Sequence, residues 1–213
     1  MKFPLLRRHF SLLVLTALVA GPSGSHARSE ATILVLGDSL SAEYGLQRGQ
    51  GWVALMQVRL AQEKIPAQVI NASISGDTTA GGRSRLPALL AQHKPTLVIV
   101  ELGSNDALRG LPLAMTQDNL QAMVAAAKTA GAKVLLVGMQ LPPNYGQSYT
   151  QQFSDSFSQV AKTQRVALVP FMLKGIADGP DALKMFQADR IHPVAAAHPM
   201  ILDTLWPSVK KLL

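Results

Sequence analysis

The 213-residue chain contains no cysteine, which excludes a disulfide scaffold, a cysteine nucleophile and a lipid-modified cysteine. Basic residues are scattered: beyond residue 27 the longest basic run is Lys210-Lys211, and no stripe of Lys and Arg alternates with aromatics. Nucleic acid is therefore not an expected partner. Neither Gly-x-Gly-x-x-Gly nor Gly-Lys-Ser/Thr follows the first strand candidate, which removes the usual dinucleotide and phosphate loops. No His-x-x-x-His string or acidic cluster suggests a metal site, and no cofactor is expected. The Gly-x-Ser-x-Gly elbow of ordinary α/β-hydrolases is also missing.

Long hydrophobic runs are scarce as well. The conspicuous one is SLLVLTALVA (11–20), preceded by Lys2, Arg7 and Arg8 and followed by small residues up to Ser25-His26-Ala27. At ten residues it is too short for the roughly 20 that a spanning helix needs. The expectation is a secretory signal peptide over 1–27, then one domain over 28–213, soluble in the periplasm or secreted, with no membrane anchor once the signal is cut. Three of the seven net positive charges belong to that leader.

The whole chain is 48% hydrophobic, enough for one substantial core, and a monomer is expected. Strand candidates are 31–37, 67–72, 96–102, 133–139 and 166–170. They alternate with helix candidates at 51–64, 78–93, 116–131 and 150–164, and a last helical stretch from 193 to 213 is interrupted by Pro199 and Pro207. This alternation predicts a three-layer α/β/α sandwich around a five-stranded parallel sheet. Ligands of such sheets sit beyond the carboxyl ends of the strands, so the post-strand loops hold the candidate site.

The first of these loops is Gly37-Asp38-Ser39-Leu40-Ser41. Ser39 is a candidate nucleophile, although a capping serine in a turn would look the same. A serine needs a base and a group that orients the base. Asp189-Arg190-Ile191-His192-Pro193 can supply both: with Asp three residues before His, one turn can aim the carboxylate at Nδ1 and leave Nε2 for the serine. His93 beside Lys94, and His198 before Pro199 with no nearby acid, are poorer bases. Oxyanion donors are available at Gly76, whose N–H can come close, and at the Asn105 carboxamide in Gly103-Ser104-Asn105-Asp106.

These blocks, in this order, resemble the SGNH or GDSL hydrolases, whose Ser, Gly, Asn and His would be Ser39, Gly76, Asn105 and His192. The stretches NASISGDTTAGG (71–82), LPPNYG (141–146) and QADRIHP (187–193) are similar to the bacterial periplasmic branch of multifunctional thioesterases, lysophospholipases and arylesterases. Ser104 departs from that branch, which usually has a second Gly there, a difference that bears on loop flexibility. The resemblance implies a flavodoxin-like fold and hydrolysis of carboxylic esters and thioesters. Ser39 would be the nucleophile, His192 the base and Asp189 its orienting group, with Ser39, Gly76 and Asn105 forming the oxyanion hole. The expected partner is a small acyl ester or thioester. Leu108, Leu111, Leu141 and Tyr145 are the candidate substrate contacts, with the three leucines lining an apolar groove. A carbohydrate O-deacetylase, or a non-catalytic acyl-lipid-binding protein on the same scaffold, are the alternatives; an aromatic content of 5% leaves little for sugar platforms.

Overall fold

The computed structural model describes Met1 and residues 30–213. Apart from Met1, the expected signal segment lies outside the described residues. The first strand, β1 (Ala31–Gly37), is buried at every position after Ala31. β3 (Leu97–Glu101) is buried throughout. Such continuous apolar runs, without the alternation of a half-exposed strand, belong to a parallel sheet covered on both faces. β2 (Ala67–Asn71), β4 (Lys133–Val137) and β5 (Ala167–Val169) complete five parallel strands in the order β2-β1-β3-β4-β5.

Six α-helices cover the sheet: α1 (Trp52–Gln62), α2 (Thr79–His93), α3 (Ser104–Leu108), α4 (Leu113–Thr129), α5 (Gln147–Gln164) and α6 (His198–Leu212). α1 packs with α6, and α4 packs with α2 and α5, giving the two outer layers. The core between them is aliphatic, with Trp52, Phe153 and Phe157 as its largest fully buried side chains. Among the described residues no helix is long and apolar enough to cross a membrane.

Differences from the expected boundaries have local causes. Pro199 is accommodated in the first turn of α6, where the missing N–H would be unpaired anyway, and Pro207 lies within the helix. The short helix α3 was not expected, because five residues are too few to show a helical period. Sheet order then positions the chemistry. β1 has β2 on one side and β3 on the other, so strand order reverses between β1 and β3, and Ser39 and Asn105 lie just past the carboxyl ends of these two strands.

Candidate active site

Ser39 lies in the tight turn that ends β1. The Asp38 carbonyl accepts from the Ser41 and Ala42 amides at 3.2 and 3.0 Å, and the Asp38 carboxylate accepts from the Leu40 amide at 3.0 Å. The turn is closed by its own backbone and one aspartate. Ser39 Oγ lies 2.8 Å from His192 Nε2, across 153 positions of sequence.

His192 arrives on a turn that also supplies its carboxylate partner. Asp189 Oδ1 accepts from the amides of Ile191 and His192 at 2.9 and 3.0 Å, while Oδ2 lies 2.7 Å from His192 Nδ1. Arg190 takes a left-handed φ of 57° to let the chain double back. The His192 amide, then the Ile191 amide and the His192 ring, hold the Asp189 carboxyl down to about 2. With Asp189 ionised, the ring hydrogen belongs on Nδ1, leaving Nε2 free to accept the Ser39 proton.

Two further residues hold the His192 turn, and neither stood out as a candidate in the sequence. The Tyr44 ring stacks on the imidazole at 4.2 Å between centroids, tilted by 36°. Gln187 donates from Nε2 to the carbonyls of Tyr44 and Pro193 at 3.0 and 3.1 Å. Its backbone amide donates to the His192 carbonyl at 2.8 Å. Gln187 opens the QADRIHP stretch, but nothing in that string shows that its side chain reaches the Tyr44 carbonyl, 143 positions away.

Asn105 joins the three post-strand loops. Its Nδ2 donates to Asp38 Oδ2 at 3.0 Å and to the Asp77 carbonyl at 2.9 Å. Both amide hydrogens are thus engaged at rest, so donation to an oxyanion requires one of them to be shared or re-aimed. Gly76 takes φ 78°, a backbone state that favours glycine, and its carbonyl accepts from Arg109 at 2.7 Å.

A cavity of about 570 Å³ opens beside Ser39, Asn105 and His192. Of the four candidate substrate contacts, Leu108 and Leu141 line it and Leu111 and Tyr145 do not. The Leu111 amide closes the end of α3 on the Asp106 carbonyl, and Tyr145 sits exposed in the 3₁₀ turn Pro143–Tyr145. Much of the apolar wall comes instead from the segment after β5, including Phe171, Leu173, Leu183 and Phe186. That segment lacks helical or strand periodicity, and its lining role arises only when it folds back over the sheet edge.

A Ser–His–Asp relay at the switch point of a parallel sheet, without the hydrolase elbow, defines a serine hydrolase of the SGNH type. The sequence pattern of the GDSL-like lipase/acylhydrolase family matches residues 35–199, and the chain belongs to that family. It is 55% identical over 182 residues to esterase TesA of Pseudomonas aeruginosa, covering 85% of this chain and 89% of that one. It is 41% identical to the thioesterase 1/protease 1/lysophospholipase L1 of Escherichia coli K12, covering 85% of each chain. The crystal structure of TesA superposes with a TM-score of 0.82 at 55% identity, over 85% of this chain and 99% of the other.

Proposed function

We propose that this protein hydrolyses carboxylic esters and thioesters of flexible acyl chains through an acyl-enzyme on Ser39. The observation that carries the reading is the continuous relay from Asp189 to His192 to Ser39, at 2.7 and 2.8 Å, beside a cavity walled mainly by aliphatic and phenylalanine side chains. Ser39 Oγ attacks the acyl carbonyl as His192 Nε2 takes its proton. The carboxylate of Asp189 stabilises the imidazolium and keeps the ring in position. Backbone N–H groups of Ser39 and Gly76 and the Asn105 carboxamide receive the negative oxygen. The protonated His192 returns its proton to the departing alcohol or thiol, and a water activated by the same imidazole releases the acid.

The relatives named as esterase, arylesterase and thioesterase/lysophospholipase support both ester and thioester substrates. The apolar wall favours an acyl chain over a sugar acetate. The basic and apolar N-terminal pattern favours export, with action in the periplasm or outside the cell.

The test is a kinetic panel of p-nitrophenyl esters, acyl-CoA thioesters and lysophospholipids, with fluorophosphonate labelling of Ser39. Ser39→Ala and His192→Ala should each lower kcat by several orders of magnitude, and the double variant should be little worse than either. Losses that multiply would refute a shared mechanism, and a preference for acetyl esters would favour the deacetylase reading.

A further inference from the structure

Beneath the Ser39 turn lies a second pair of carboxyl groups that the relay does not use. Asp38 and Glu101 are 1% and 2% exposed, and among the described residues neither is ion-paired with a lysine or arginine. Arg85, reaching in from α2, donates to Asp77 Oδ2 and to the carbonyls of Ala72 and Gly37. Glu101 Oε2 accepts from the Ser41 hydroxyl at 2.6 Å and from the Asp38 amide at 3.4 Å, so one oxygen holds both ends of the turn that carries Ser39. The fit requires glycine at position 37: a Cβ there would stand 2.6 Å from Ser41 Oγ and 2.9 Å from Glu101 Oε2.

Two neighbouring carboxyl groups in so dry a place cannot both ionise at modest cost. The donors decide which one carries the charge. Asp38 receives two good N–H bonds, from Leu40 and from Asn105, each at 3.0 Å. Glu101 receives a hydroxyl and one long amide contact. The charged and titratable groups that bear on Asp38 are His192, which favours its anion, and Asp77, which opposes it. Burial pushes Asp38 up to about 6. Burial, followed by the Asp38 charge, drives Glu101 well above the carboxylate range.

We propose that Glu101 is a positioning residue that acts in its protonated, neutral form. It grips the Asp38–Ser41 turn through Oε2 and leaves the single negative charge of the pair on Asp38, which orients the Asn105 carboxamide. Glu101 touches neither substrate nor reacting atoms. Its effect reaches Ser39 through the turn and Asn105 through Asp38. When Glu101 loses its proton, two buried charges repel beneath the nucleophile and the turn shifts. The inference rests on the assignment of Ser39 as nucleophile.

Wild type, Glu101→Gln and Glu101→Ala can be compared from pH 6 to 10 by the rate of Ser39 labelling with a fluorophosphonate, and by kcat and KM on p-nitrophenyl butyrate. Glutamine keeps a neutral acceptor oxygen, so Glu101→Gln should retain most of kcat at pH 7 while Glu101→Ala loses on the order of 10- to 100-fold with little change in KM. Wild type should lose rate on the alkaline side, and Glu101→Gln should not. A merely structural glutamate would not move that alkaline limb.

Equal losses in Gln and Ala at pH 7, or superimposable alkaline limbs in wild type and Glu101→Gln, would overturn the proposal. If the alanine variant fails to fold, the glutamine pH profile decides by itself. Absence of Ser39 labelling in wild type would overturn the nucleophile assignment and this proposal with it, whereas labelling with no alkaline difference removes the proposal alone.

Discussion

Leu183→Ser separates a substrate contact from a structural one. Leu183 lines the cavity yet is 79% exposed, so its truncation should change stability by no more than about 0.5 kcal/mol. Leu141 is a poorer probe, because it is 9% exposed and belongs to the hydrophobic core as well as to the wall. Truncating a buried leucine costs about 2–5 kcal/mol and confounds the kinetics. Full burial of a leucine side chain contributes about 1.5–3 kcal/mol. An acyl chain that covers roughly half of Leu183 should therefore draw on about 1 kcal/mol, or about fivefold in kcat/KM.

The substrates are p-nitrophenyl esters from acetyl to decanoyl. In wild type a fully buried methylene would raise kcat/KM about fourfold, and a half-covered one in an open cavity about twofold. Leu183→Ser should match wild type on acetate and fall about fivefold below it on esters long enough to reach the 3₁₀ turn Ala182–Met185. A variant that tracks wild type at every chain length, or drops equally on acetate and decanoate, would refute the placement of the acyl chain along this wall.

Asn105→Ala should cost about 10²- to 10³-fold in kcat and leave KM nearly unchanged, since an oxyanion donor matters mainly in the transition state. A variant that chiefly raises KM would make Asn105 a substrate-positioning residue. His198, 2% exposed, accepts from the Trp52 amide at 3.1 Å through Nδ1 and bonds the Pro193 carbonyl. Burial lowers its pKa from the ordinary 6.5, against the raising effects of Pro193 and the Glu43 charge. The stability contributed by the neutral ring is complete above pH 6.5 and declines as pH falls toward the depressed folded value, because the unfolded chain takes up the proton first. Glutamine can accept and donate at the same two places without titrating, so thermal melts of His198→Gln should depend less steeply on pH below 6.5 than those of wild type. Parallel melting curves would show that His198 contributes nothing to acid sensitivity.

The layers of the fold were legible because β1 and β3 are unbroken apolar runs and α4 and α5 keep a long helical period. Strand order was not legible in the hydrophobic pattern, since pairing depends on contacts between segments far apart in sequence; it came only with the flavodoxin-like fold that the resemblance implies. Asp189 and His192 could be singled out because a three-residue spacing suits an orienting carboxylate, and Ser39 because it follows the first strand in a block that resembles the family's. The structural role of His198 was not legible: no acid stands near it in sequence, and the partners that make its burial tolerable are a backbone amide 146 positions away and a backbone carbonyl. Glu101 was equally silent, ending a strand as an ordinary charged residue would. Its neighbours Asp38 and Ser41 come near only when β1 and β3 pair, at the register that places Gly37 opposite Glu101.

The Asp189–His192 turn is assembled almost entirely from its own four residues, and it is tethered by the Phe186–Pro193 bridge and by Gln187. Asp189 and His192 therefore travel together, while Ser39 belongs to the turn that ends β1. The 2.8 Å link between Ser39 and His192 is a seam between two separately organised pieces of chain. Local opening of the C-terminal segment can part that seam at less free energy than global unfolding requires. How long Ser39 and His192 stay in register then depends on the fastenings of one short segment as well as on the core beneath Ser39.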